Sequence, residues 1–308
     1  MLALSVCIVL LLAACATQDV QSVPQQDDKM AEIKARGTLI IATDADYAPQ
    51  SKLMKDTLPN ADTKCEPTQY TANQFTGFDV EVGVEIAKHL GVEPCFVTPP
   101  WSQLVAGNWG DNWDIHVGSV AITYDRTKVL YFSQPYYATP TMLLIHQDNA
   151  TYEKPEDLSG KRIGVCVGCT FEEYLKGTLK IPGAEIVYRI HDSQMVGYEN
   201  EDPAIEDLSL GDGVKLDAVI TILPKAKQTI ASGKPVKILG EPLLFAYASV
   251  TIDRSSERNV ASLLNDVNIV INGLHASGAL KRMSEKYQGQ DLTQEAARFD
   301  LSSINQLP

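Results

Sequence analysis

Apolar residues along the chain fall into short continuous blocks and into stretches where they return every three or four positions. The block Thr38 to Thr43 (TLIIAT) suits a strand buried on both faces. Beyond it, Val82, Ile86 and Leu90 repeat at helical spacing, with Asp79 as the expected N-cap and Gly91 as the C-cap. Strands are then predicted at Pro94 to Thr98 and Trp113 to Val117. This β, α, β, α order is the grammar of a parallel sheet. A second series follows the turn-rich Gln147 to Ser159, with strands predicted at Arg162 to Cys166, Glu185 to Ile190 and Asp217 to Ile222. The apolar strand Ala246 to Ile252 leads into a long helical face of Val260, Leu263, Leu264, Val267, Val270, Ile271 and Leu274, and a last short helix ends near Tyr287. Residues 50 to 74 have no apolar period and read as a long loop.

The first fourteen residues are mostly apolar and uncharged, and the chain turns polar directly after Cys15. That run is too short to span a bilayer as a helix and fits the apolar segment of a secretion signal. Leu12, Ala13, Ala14 and Cys15 resemble a lipobox, so residues 1 to 14 are expected to be removed and Cys15 to carry lipid. Residues 15 to 34 then read as a flexible tether, rich in Gln, Asp, Ser and Pro up to residue 30. Export places the remaining cysteines in an oxidising setting. Cys65, Cys95, Cys166 and Cys169 allow three pairings, and the spacing of Cys166 and Cys169 favours a local bridge that leaves Cys65 with Cys95.

At 308 residues the chain has the length of two domains, and 44% hydrophobic with 21% charged residues is ordinary globular composition. A formal net charge of -13 argues against nucleic acid or an anionic membrane surface as a partner. No phosphate loop, GxGxxG, GxSxG or HExxH is present, and the five histidines lack ligand spacing, so neither a cofactor nor a metal is expected.

Ligands of parallel sheets bind at the carboxyl ends of strands. Those ends offer Asp44, Asp46 and Tyr47, then Trp101, then Ser119 to Arg126 with Ala121 between them, and finally Gly168 to Thr170. One guanidinium, small or hydroxyl residues and two aromatic faces suit a zwitterion or a carboxylate.

Several stretches resemble the family 3 extracellular solute-binding proteins, the polar amino acid receptors of ABC importers. They are GTLIIATDADYAP from Gly37, GFDVEVGVEIAKHLGV from Gly77, WDIHVGSVAITYDRTKVLYFSQPYY from Trp113, DLSGKRIGV from Asp157, LDAVI from Leu216 and SGALKRMSEKYQG from Ser277. The resemblance implies an α/β, two-lobed periplasmic-binding-protein fold of type II, with the lobes joined by two crossing strands near Tyr137 to Leu143 and Gly240 to Ala246. Lobe 1 would take residues 35 to 140 and 245 to 308, and lobe 2 residues 141 to 244. It further implies that Arg126 grips a ligand carboxylate, assisted by Ser119, the amide of Ala121, and Thr170. Tyr47 would cover the ligand side chain, with Asp44 three residues before it at a position some members use for ligand contact, and Trp101 as a second wall. The family's usual aspartate for the ligand ammonium falls at position 222, where this chain has Ile222. The expectation is a periplasmic or cell-surface receptor, monomeric and held to the membrane only by lipid. It would take a polar amino acid or related carboxylate and deliver it to an ABC permease. Two rivals are a dehydratase of the cyclohexadienyl type on the same fold, and a thiol oxidoreductase using Cys166 and Cys169.

Overall fold

The computed structural model describes residues 27–304, so the expected signal peptide, the lipidation site Cys15 and most of the expected tether lie outside the described residues. Helix α1 (Lys29–Arg36) begins at Asp28, whose carboxylate accepts the Met30 amide at 3.1 Å. Residues 29 to 34, read from the sequence as the end of the tether, therefore belong to a docked helix. Its Met30 and Ile33 are buried, and Lys29 reaches Asp114 at 3.3 Å. Only two large apolar residues, Met30 and Ile33, mark this helix in the sequence.

After α1 come strands β1 (Thr38–Ala42), β2 (Asp46–Tyr47), β3 (Ser51–Leu53), β4 (Tyr70–Thr71) and β5 (Phe75–Thr76), helix α2 (Phe78–Leu90), strand β6 (Glu93–Val97) and helix α3 (Trp101–Ala106). Next are β7 (Ile115–Ala121), β8 (Leu130–Phe132) and the long β9 (Tyr137–His146). The chain continues through β10 (Arg162–Cys166), α4 (Thr170–Leu175), β11 (Gln194–Tyr198), α5 (Glu201–Leu208), β12 (Ala218–Ile222) and α6 (Leu223–Ala231). It returns along β13 (Val236–Asp253) and ends with α7 (Ala261–Ala276) and α8 (Ala279–Gln288).

The main sheet has the order β11-β10-β12-β9-β13-β7-β1-β6-β4. β1 runs parallel to β6 and β7, and β10 runs parallel to β11 and β12. Between these two parallel groups, β9 and β13 pair antiparallel from Val236↔His146 to Ala248↔Tyr137, with a register shift between Leu239 and Leu244. These are the two crossing strands of a two-lobed fold, and each parallel group is the sheet of one lobe.

Alternation along these strands feeds two core layers in each lobe. In the second lobe Ile220 and Leu143 join Phe171 and Tyr174 on one face, while Val219 and Leu144 join Ala204 and Leu208 on the other. In the first lobe Ile41 and Val117 pack with Ile86, Val267 and Ile271, and Ala42 and Val120 pack with Leu104 and Phe132. Burial on both faces is why these strands read as unbroken apolar blocks.

Three local expectations change. Gly77, not Asp79, caps α2, at φ 139°, where a Cβ would lie 2.2 Å from the Gln50 carbonyl oxygen. Asp79 lies in the first turn and is buried. The strand expected at 185 to 190 does not form, and β11 lies at Gln194–Tyr198 instead. The alternation at 185 to 190 reports one buried face, with Ile186, Tyr188 and Ile190 on the core. The Arg189 amide there donates to the Tyr174 hydroxyl at 2.9 Å instead of to a ladder. The region 50 to 74 holds β3 and β4, which its lack of apolar period conceals, and a disulfide links its Cys65 to Cys95 on β6. Among the described residues no helix is long and apolar enough to cross a membrane.

Candidate functional site

Where the two lobes face each other, the carboxyl ends of β1, β7, β10, β11 and β12 converge on a cleft. The first lobe supplies Asp44, Tyr47, Trp101, Gly118, Ser119, Ala121 and Arg126. Strands β9 and β13 form the floor with Tyr137, Thr139, Ala246 and Ala248. The second lobe supplies Cys166, Cys169, Thr170, Phe171, Glu199, Asn200, Glu201 and Ile222.

Arg126 opens a 3-10 turn, Arg126–Lys128, and is 5% exposed. Its guanidinium donates to the Ala121 carbonyl and, across the cleft, to the Gly168 carbonyl, both at 3.1 Å. The Trp101 ring lies 5.4 Å from it, and the Trp101 indole N–H donates to the same Gly168 oxygen at 3.3 Å. Gly168 can present that carbonyl because it sits at φ 75°, in the loop closed by the Cys166–Cys169 disulfide. No acidic side chain forms an ion pair with Arg126 among the described residues. Burial pulls its pKa down to about 10, opposed by the charge of Glu173. Such a cation retains unused donors that suit a planar anion.

Beneath the first lobe's edge lies a polar network. The Ser119 hydroxyl donates to Asp79 at 2.6 Å and accepts from Tyr137 at 2.7 Å. Tyr136 donates to the other Asp79 oxygen at 2.9 Å and accepts the Ser119 amide at 2.9 Å. Ser119 itself adopts φ 58°, a strained conformation for a non-glycine residue that this network holds in place. Burial pushes the Asp79 carboxyl up to about 7, opposed by the hydrogen bonds from Ser119 and Tyr136. Nearby, His116 is buried with neither ring nitrogen bonded, and burial holds it down to about 3, so it stays neutral under Trp101.

The structure thus brings Asp44, Tyr47, Trp101, Ser119, Ala121, Arg126 and Thr170 to one cleft. Asp46 is not among the lining residues. It is exposed on β2, pairs with Lys52 in register, and its amide donates to the Asp44 carboxylate at 2.8 Å. Ala121 uses its carbonyl on Arg126. Sequence reasoning missed Tyr137 and Thr139 on the floor, and Glu199, Asn200 and Glu201. The last three follow β11 directly, so placing that strand at 185 to 190 hid them. Glu201, the first residue of α5, is 5% exposed, and burial pushes its carboxyl up to about 7. Burial also raises Asp44. Among the described residues no cluster of His, Cys, Asp and Glu could hold a metal ion.

Residues 60–290 match the family profile of the bacterial extracellular solute-binding proteins, family 3. The chain belongs to this family. A relative within it, the L-cystine-binding protein TcyJ of Escherichia coli (strain K12), is 28% identical over 267 residues, spanning 85% of this chain and 86% of that protein. The L-cystine-binding protein TcyA of Bacillus subtilis (strain 168) is 26% identical over 289 residues, spanning 92% and 94%. Among solved structures, an ancestral amino acid-binding protein, AncCDT-1, a precursor of cyclohexadienyl dehydratase, superposes with a TM-score of 0.67 at 27% identity, covering 84% of this chain and 99% of that one. Membership makes the chain an extracytoplasmic solute receptor, and the cleft is where a family 3 protein of this geometry can enclose a solute.

Proposed function

We propose that this receptor captures a free α-amino acid, with Arg126 on the ligand carboxylate, and hands it to the permease of an ABC importer without chemical change. The observation that carries the reading is the Arg126 guanidinium, 5% exposed in the cleft and without a carboxylate partner. A buried cation lacking a counter-ion is unfavourable, and a ligand carboxylate relieves it. Tyr47 and Trp101 wall the apolar part of the ligand, and Thr139, whose buried hydroxyl has no partner, offers a further hydrogen bond. The lining holds three acids, Asp44, Glu199 and Glu201, against the single guanidinium, a balance that disfavours dianionic acids. Amino acids that are neutral or positive overall fit it, and the relatives' names include cystine and arginine.

Lipidation at Cys15, supported by Leu12 to Cys15, would hold the receptor at the membrane as a monomer. Mass spectrometry of the native N-terminus tests that point.

Calorimetry against the α-amino acids, L-cystine and the matching deaminated acids tests the receptor reading. The expected result is micromolar or tighter binding of an amino acid and none of its deaminated counterpart. Binding of deaminated acids alone would reverse it. A second reading, catalysis of the cyclohexadienyl dehydratase type, is favoured by one observation, a buried carboxyl, Glu201, lining the cleft where a general acid is needed, with burial raising its pKa to about 7. Carbon dioxide release from a cyclohexadienyl acid, abolished in Glu201→Gln, would establish it.

A further inference from the structure

The receptor reading needs a group to meet the ligand's ammonium, and Ile222 stands where the family usually places it. Ile222 lines the cleft at 5% exposure and has no polar group to offer. Glu201 follows β11, separated from β12 in the same lobe by β10, and is buried yet lines the same cleft, which Asp44 lines from the first lobe.

Resting on that reading, we propose that Glu201, together with Asp44, holds the ligand's ammonium in place of a carboxylate at position 222, and that the empty cleft keeps a proton on Glu201 which the ammonium expels on binding. The surroundings argue for it. Around Glu201 stand Asp44 after β1, Tyr47 on β2, Tyr137 on β9, Asp202 on its own helix and Lys225 on α6. Lys225, the one cation in this group, is engaged by Asp202 at 2.5 Å. The remaining groups are acids or hydroxyls, so two carboxylates facing one another in a partly dry cleft disfavour double ionisation. Burial is the largest cause of the raised Glu201 pKa of about 7, and Lys225 and the residue's own amide only partly oppose it. An arriving ammonium supplies the missing positive charge. Glu201 then ionises, its proton passes to solvent, and the ammonium takes over the neutralisation. Position 222 is free to be apolar because the charge has moved to the end of β11, on the far side of β10.

The sign follows from linkage. A proton released on binding makes affinity rise with pH up to the midpoint of the empty cleft. With that midpoint at about 7, the dissociation constant is about tenfold weaker at about pH 6 than at about pH 8. The experiment is calorimetry on the full mature chain with L-arginine and L-cystine as probes, in two buffers of different ionisation enthalpy at each pH. Expected is release of close to one proton at about pH 6 and close to none at about pH 8. Glu201→Gln should bind more weakly at about pH 8 and lose most of the pH dependence and proton release, the remainder being set by Asp79 beneath Ser119, which also titrates near 7. Binding by the wild-type chain without proton release at about pH 6 would overturn this inference alone, whether or not the variant folds. Undiminished release from a folded Glu201→Gln would also overturn it. A full amino acid panel without any binder would overturn the receptor reading and this inference with it.

Discussion

The two lobes meet the cleft in different ways. Beside Asp44, Tyr47 and Trp101, the first lobe presents one nearly continuous edge, Ser119 to Arg126, whose Ser119 is braced from below by Asp79, Tyr136 and Tyr137. The second lobe presents separate strand ends: the disulfide loop after β10, Glu199 to Glu201 after β11, and Ile222 at the end of β12. A braced edge preorganises one contact, and a carboxylate common to all amino acids is the contact worth fixing. Separate strand ends can change one at a time, which suits the groups that select among ligands. On the proposed reading, the Ser119 to Arg126 edge is thus the template and the separate strand ends, most of them in the second lobe, are the filter.

Removing the template's cation should have the largest effect. Arg126→Ala is expected to weaken amino acid binding at least about a hundredfold, since truncating one partner of a desolvated charged contact costs about 2 to 5 kcal/mol. Its melting temperature should hold or rise, because the empty protein loses a buried, unpaired cation. Calorimetry and thermal unfolding check both, and affinity within about threefold of wild type would remove Arg126 from the template.

The disulfides sharpen the contrast because one lies in each lobe. Cys65–Cys95 closes a sequence separation of 30 away from the cleft, and Cys166–Cys169 closes a separation of 3 within it. Loop entropy assigns the first about 3 to 4 kcal/mol and the second about 2 kcal/mol. The double change Cys65→Ser with Cys95→Ser should therefore lower unfolding free energy by that larger amount at unchanged affinity. Cys166→Ser with Cys169→Ser should lose less stability but more affinity, because it frees the loop whose Gly168 carbonyl receives Arg126 and Trp101. Urea unfolding and calorimetry on both variants decide it, and equal affinity losses would break the contrast.

The same contrast explains what could be read from the sequence. The first lobe's edge lies within a single stretch, Trp113 to Tyr137, so Ser119, Ala121 and Arg126 could be placed together on the resemblance. Its continuous apolar strands were legible because both faces are buried. Glu201 was not legible, since a two-residue period at Ile186, Tyr188 and Ile190 looks the same whether the backbone joins a ladder or only lies on a core. The Asp79 network was hidden for another reason. Asp79 resembles an N-cap by position, and only the close approach of Gly77 to Gln50 moves the cap two residues earlier and turns Asp79 inward.

Ligand-free stability should also depend on pH in a direction set by buried acids in both lobes. Asp79 and Glu201 titrate near 7 when folded, above their ordinary values of 3.8 and 4.5, so the folded chain holds more protons than the unfolded chain between those limits. Stability then rises as pH falls from about 8 to about 5. His116 opposes this below its ordinary 6.5, because its folded value of about 3 leaves the unfolded chain more protonated. Burial raises Asp44, Asp114 and Glu173 in the same direction, and lowers His275 in the opposing one, so the balance of buried groups favours a net gain by about pH 5. Urea titrations at the two pH values test it, and a loss on acidification would show that these carboxyls are ionised in the folded protein.

The smallest effect separates two aspartates that the sequence could not tell apart. Asp44 and Asp46 both follow β1, but only Asp44 lines the cleft, while Asp46 is exposed and lends its amide to Asp44. An exposed carboxylate outside a site acts on a bound ion only through screened, high-dielectric attraction. Asp44→Asn should weaken amino acid binding by about tenfold, the equivalent of about 1.4 kcal/mol, since half of the acidic pair facing the ammonium is neutralised. Asp46→Asn should change affinity by less than about twofold, because the backbone hydrogen bond that orients Asp44 is kept. The comparison needs only calorimetry on two single variants at one pH. Should Asp46→Asn lose as much as Asp44→Asn, the first lobe would have to turn its β2 edge into the cleft on binding, and that lobe would no longer be a fixed template.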